Sequence, residues 1–169
     1  MDLTSAYPWI VLVHVLSVFG FVVLHGVSMV VVFLLRTERE LARVRTLLDV
    51  SASSIGLMYL FLLLVLLSGI LAGIVGGWWT NGRIWIWASV VLLVALAGYM
   101  SFSASGYFSE LRRAAGLPGN LRGKEFLAGE PDPTRLGALL ADRRVAWELL
   151  IVGGGGLIVL TWLMMFKPF

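Results

Sequence analysis

The sequence predicts an all-α fold, an integral membrane four-helix bundle, and three observations carry that prediction. Hydrophobic residues make up 59% of the chain against 14% charged residues, and the mean hydropathy is +0.93, far from a soluble domain. The apolar residues fall into four long runs, at about 9–35, 54–77, 84–108 and 145–166. Basic residues concentrate in two of the intervening segments. One membrane domain accounts for the whole length. There is no cysteine, so disulfides, thiolate metal sites and cysteine nucleophiles are excluded.

Residues 2–8 read as a short flank. Met1-Asp2 leads into the first run without the basic region and cleavage site of a signal peptide, so the first span is expected to be retained. Tyr7, Pro8 and Trp9 read as an interfacial anchor and helix start. Trp9–Leu35 then contains no Asp, Glu, Lys or Arg and holds both histidines of the chain. As a helix it extends roughly 40 Å, enough to cross a bilayer. His14 and His25 are eleven residues apart, about three helical turns, so both rings point to one side at depths about 16 Å apart. Ser17, Phe21 and Ser28 share that face. A polar stripe inside a membrane helix either packs inward or lines a site.

The charged segment 36–50 carries apolar residues at Leu41, Val44, Leu47 and Leu48. That is helical spacing, and it predicts an amphipathic helix on the membrane surface or a prolongation of the first span. Glu38 and Glu40 precede Arg43 and Arg45 closely enough for helical ion pairs.

In the second span Gly69, Gly73 and Gly77 fall four apart, a small-residue ridge that lets another helix backbone, or a flat ligand, come close. Trp78, Trp79, Asn81, Gly82 and Arg83 predict a tight turn, and with Trp85 and Trp87 they form an aromatic belt at headgroup level. The third span ends in GYMSFSASGYF, where Tyr99 and Met100 are the second-helix candidates to meet the level of His25.

The connection 109–144 holds seven basic residues and the breakers Gly116-Leu-Pro-Gly and Glu130-Pro-Asp-Pro. Asp132 or Thr134 is placed to cap a short amphipathic helix through Leu136, Leu139 and Leu140. Four consecutive glycines, Gly153 to Gly156, interrupt the fourth span; they are tolerated where a helix or ligand presses close. Trp162 and Lys167-Pro-Phe finish the chain at an interface. The segments 36–50 and 109–144 are basic, while the opposite side has only Arg83 and Lys167. This bias places the protein in the plasma membrane as a multi-pass protein, with both termini outside and both basic segments cytoplasmic. It also explains the pI near 9.7 without nucleic acid as a partner.

For the histidines three readings stay open: rings hydrogen-bonded in packing, ligands of haem or a metal, or members of a proton relay. Two histidines 16 Å apart on one helix cannot share an iron. A haem reading therefore needs one haem b at each, with a Met, a Tyr, nothing, or the same His of a symmetry mate opposite, the last as in a parallel C2 dimer with first spans facing. Met100 and Tyr99 complete the candidate cofactor set. Copper is the second cofactor reading, with His14, His25 and Met29 as metal candidates and Met58 and Met100 within reach from other spans. No nucleophile stands beside a base, which argues against a hydrolase. No inverted repeat is evident, and Glu148 is the one acid well inside a span, which argues against a transporter.

HVLxxxGFxxxHG in the first span, RxxxExxR after it, the second span ending in GGWW and the WLMMFKPF tail resemble a family of bacterial four-span membrane proteins. These are distantly similar to the membrane part of copper-resistance D proteins. The resemblance covers His14 to Phe169; it implies a four-helix membrane fold and suggests metal or haem handling at His14 and His25. The function expected is a haem- or metal-associated electron-transfer component of the membrane. The alternative is a non-catalytic scaffold or accessory subunit, homo-oligomeric or within a larger complex, in which the glycine ridges serve helix association.

Overall fold

The structure is a computed structural model describing residues 3–79 and 83–168. The Asn81–Gly82 turn and the terminal residues Met1, Asp2 and Phe169 named above lie outside the described residues. The chain is all-α and forms a four-helix bundle. Its long helices are α1 (Leu3–Leu35), α2 (Leu41–Val75), α3 (Ile84–Ala114) and a composite fourth helix. All four are long and apolar enough to cross a membrane, the mark of a multi-pass membrane protein in a lipid bilayer. Their large outward side chains, such as Phe19, Leu67, Val91 and Ile158, are exposed because they face lipid rather than protein.

The helices run past the apolar runs at several ends. α1 starts at Leu3, ahead of the expected start, and takes Pro8 into its second turn. The segment 36–50 is neither a surface helix nor a prolongation of the first span. The chain turns at Thr37–Glu40, and Leu41 opens α2, which continues unbroken to Val75. Glu38 makes this restart: its carboxylate accepts the backbone N–H of Arg39 and Glu40 at 2.8 and 2.9 Å. Those backbone bonds, Glu40 first and then Arg39, hold its carboxyl below the usual range. The predicted pairing of Arg43 with Glu40 and Glu38 is present at 2.9 and 4.0 Å.

The best-packed region sits at this basic end. Leu35 of α1, Leu48 of α2 and Leu111 of α3 are fully buried together, and Leu136 and Leu140 close over them from α4 (Pro133–Ala141). Asp132 is the cap of α4, accepting the Arg135 N–H at 2.9 Å, as the sequence predicts. Ahead of it lies an antiparallel hairpin that hydropathy does not reveal, β1 (Gly119–Leu121) and β2 (Lys124–Phe126). Gly119 pairs with Phe126 and Leu121 with Lys124. Its two-residue turn has positive φ at Arg122 and Gly123, the twist a tight hairpin needs.

Arg112 ties this end together. Its Nη1 meets the Asp49 carboxylate at 2.8 Å and the Leu48 carbonyl at 3.3 Å, and its Nε donates to the Pro118 carbonyl at 2.9 Å. Arg112→Ala is expected to cost about 1–3 kcal/mol, read as a lower unfolding midpoint in detergent; a change within error would show that these bonds are replaced by water without loss.

At the opposite end the aromatic belt becomes an intramolecular cluster. Tyr7 meets Trp78 edge-on, Trp78 meets Trp85, Trp79 meets Trp87, and Lys167 Nζ stands 4.8 Å from the Trp78 ring. Gly77 is not part of the helix ridge. It takes a φ of +65° and ends α2, with Trp78 N–H reaching back to the Gly73 carbonyl.

Candidate functional site

Two pairs of helices set the geometry. α1 lies along α2 over most of its length, and α3 packs on the fourth helix. The α1–α2 seam is close because Gly20 admits the Phe61 ring, into which a Cβ at residue 20 would project at 2.5 Å. Ser28 and Ser51 meet across it at 3.2 Å.

His14 belongs to that seam. Its Nδ1 lies 3.1 Å from both the Val65 carbonyl and Ser68 Oγ. The carbonyl can only accept, and Ser68 spends its own proton on the Leu64 carbonyl, so Nδ1 carries the hydrogen and donates to both. The ring rests on Gly69, where a Cβ would lie 3.1 Å from its Cε1. These contacts engage Nδ1 and one edge of the ring, and they tie the imidazole to α2.

His25 is placed otherwise. It is 8% exposed, its ring stacks near Phe21 at 6.0 Å, and Nε2 is buried without a hydrogen-bond partner. The Leu149 carbonyl is near enough to interact with the ring. Imidazole reaches the fourth helix because that helix changes winding there: α5 (Arg144–Glu148) passes through a π-helical stretch, Leu149–Gly154, into α6 (Gly155–Phe166). The wide turn sets Gly153 against the ring, and a Cβ on Gly153 would stand 2.7 Å from Nε2. Glycines tolerate the wide winding and leave room for the ring, which is how the four-glycine run is used. Gly156 likewise admits Leu96 of α3.

Around His25 the two helix pairs part to leave a small cleft of about 80 Å³. Met58 and Tyr59 of α2, Met100 and Ser101 of α3, and Leu157 and Leu160 of α6 line it with Phe21, His25 and Ser28 of α1. Tyr59 Oη of α2 and Ser101 Oγ of α3 meet at 3.0 Å. Among the described residues no Lys, Arg, Asp or Glu lines the cleft.

Of the residues singled out in the sequence, His25, Met58 and Met100 therefore share one cleft, and the Met100 methyl lies 3.8 Å from where a Gly153 Cβ would be. Tyr99 does not join them. Adjacent helix positions point about 100° apart, and Tyr99 turns outward, 43% exposed, to the carboxylate of Glu148. Met29 packs instead against the core at the basic end, one turn beyond the cleft. Ser103 and Arg144 also hold Glu148, the latter at 2.6 Å, a cluster that only the lone intramembrane acid hinted at. Among the described residues no three His, Cys, Asp or Glu side chains group as a metal site.

Comparisons with family models, curated proteins and solved structures return no match.

Proposed function

We propose that the protein is a redox component of the plasma membrane that holds one redox-active group at His25. The observation that carries this reading is the buried, unpartnered Nε2 beside an apolar cleft. An orphaned buried nitrogen costs about 1–3 kcal/mol, a cost a bound group would offset. The sequence resemblance to the membrane part of copper-resistance D proteins points the same way. The charge bias of the loops supports both termini outside and the basic end in the cytoplasm.

The groups expected from the sequence fit unequally. Haem b finds an axial imidazole in His25, but its two carboxylates would meet a lining without a single cation, which a low-dielectric site penalises heavily. A cuprous ion suits the donors better, one imidazole with the thioethers of Met58 and Met100.

The test is to express the protein with haem and copper supplied, purify it in detergent, and quantify haem, copper and extractable quinone per chain. Wild type is expected to retain one of them near stoichiometry, and His25→Ala to lose at least nine-tenths of it. Equal retention by both proteins, or none by either, overturns the reading.

A further inference from the structure

The hairpin between α3 and α4 does not simply lead away from the membrane. After the turn at Gly116 the chain climbs back along α3. The Pro118 carbonyl accepts from Arg112 Nε at 2.9 Å, and the Asn120 carbonyl accepts from Ser109 Oγ at 2.6 Å. Arg122, at the tip, sets its guanidinium 4.9 Å from the centre of the Phe102 ring. Each contact lies further from the end of α3 than the last, so the tip points toward the bilayer. Phe102 is 68% exposed within a membrane-spanning helix and so faces lipid. It stands eighteen residues after Ile84, roughly 27 Å along the helix. A hydrocarbon layer about 30 Å thick that begins beside the tryptophan belt therefore ends just past Phe102. The Arg122 guanidinium is held where phospholipid headgroups begin.

A cation at that depth needs an anion. Among the described residues Arg122 makes no ion pair and no hydrogen bond, and its contact with the Phe102 ring satisfies none of its five N–H donors. Lys124 is likewise exposed and unpaired among them. It shares the half-buried hairpin face of Leu121 and Phe126, while Glu125 lies on the opposite face. α3 leaves room beside these cations. Phe102, Gly106 and Ser109 follow at helical spacing on one face, and a Cβ at Gly106 would meet nothing within 4 Å. The result is a notch floored by the Gly106 backbone, between the Phe102 ring and the Ser109–Asn120 bond. A guanidinium offers paired N–H groups that match phosphate oxygens, and the ring fixes its plane. A zwitterionic headgroup brings a cation of its own; an anionic one leaves its charge to Arg122 and Lys124 together.

From this juxtaposition we infer that the notch between Phe102 and Ser109 seats the headgroup of an anionic phospholipid. Arg122 holds its phosphate, Lys124 adds the second charge, and the acyl chains lie along the outward face of α3. The site is separate from His25 and stands whether or not that residue holds a redox group.

Phosphatidylglycerol is the probe, with phosphatidylcholine of the same chains as the control. Both are titrated into the detergent-purified full chain, and bound lipid is counted by native mass spectrometry. Wild type is expected to bind phosphatidylglycerol at least fivefold more tightly than phosphatidylcholine. Arg122→Asn removes the cation and keeps the hairpin, because Asn tolerates the φ of 53° and precedes Gly123 in the pairing tight hairpins favour. It is expected to abolish the preference, and Phe102→Leu to weaken it at least twofold. Arg143→Gln removes an exposed charge from the same end and should change it less than twofold. Inorganic phosphate, compared with chloride at equal ionic strength, is expected not to displace the lipid. Equal binding of the two lipids by wild type, or equal losses in Arg122→Asn and Arg143→Gln, overturns the site. Displacement by phosphate marks a free-anion site and overturns the lipid assignment.

Discussion

His25→Leu is expected to raise the unfolding midpoint of the ligand-free protein, whereas His14→Leu lowers it. The two rings sit on the same helix, and their difference is the test of which one is structural. His14 donates from Nδ1 to the Val65 carbonyl and Ser68, so removing it forfeits those bonds and costs about 1–2 kcal/mol. Leucine would also press its branched end toward the glycine face at Gly69. His25 has a buried Nε2 with no partner, and an apolar side chain of similar size removes that penalty. The gain should be about 1 kcal/mol, or roughly 2–4 °C for a chain of this size. Stability given up in this way is common where a residue serves a ligand. Should His25→Leu destabilise as much as His14→Leu, the ring is a packing element and the proposed function loses its footing.

Gly116→Ala is expected to be the most damaging of the glycine substitutions, with a loss of about 3 kcal/mol or more. Gly116 ends α3 with a φ of +75°, and Leu117 N–H reaches back to the Arg112 carbonyl while Gly116 N–H reaches Arg113. A Cβ there would lie 2.5 Å from the Gly129 carbonyl and 3.2 Å from the Pro131 nitrogen, both backbone atoms that cannot swing aside. The two residues before it anchor the neighbouring segments: Arg45 donates to the Ala115 carbonyl, and Asp132 N–H to that of Ala114. Gly155→Ala is the control. Its Cβ would meet nothing within 4 Å, and alanine should be neutral or stabilise the helix by up to about 1 kcal/mol. Thermal unfolding of both variants in one detergent decides it. Equal midpoints would show that the turn after α3 yields without cost.

The readable parts of this protein are those written in local chemistry. Four apolar runs became four long helices, Asp132 caps α4 where its spacing from Arg135 places it, and the Trp-rich turn gathers its rings at one end. The charged segment after the first run was legible as a helix but not as part of α2. Its apolar spacing is the same whichever span it continues, and the decision was made by the Glu38 carboxylate turning the chain at Arg39 and Glu40. The hairpin at 119–126 escaped because three-residue strands carry no periodicity to read.

The candidate site divides in the same way. An intramembrane histidine is unusual enough in a sequence to be singled out, and both were. Composition and helical spacing by themselves determined the membrane class, the four spans, the polar stripe on the first of them and the gathering of basic residues in two of the connecting segments. Those depend on transfer of side chains between water and hydrocarbon and on the 3.6-residue turn, which act along the chain. Only the tertiary structure decided that His14 is satisfied by α2 while His25 is left unpartnered, that Met100 and not Tyr99 faces the cleft, and that Gly153 seats the ring. Each of these depends on which helix comes to lie opposite and on the π-helical winding at Leu149–Gly154. Long-range packing sets both, and no local pattern encodes it.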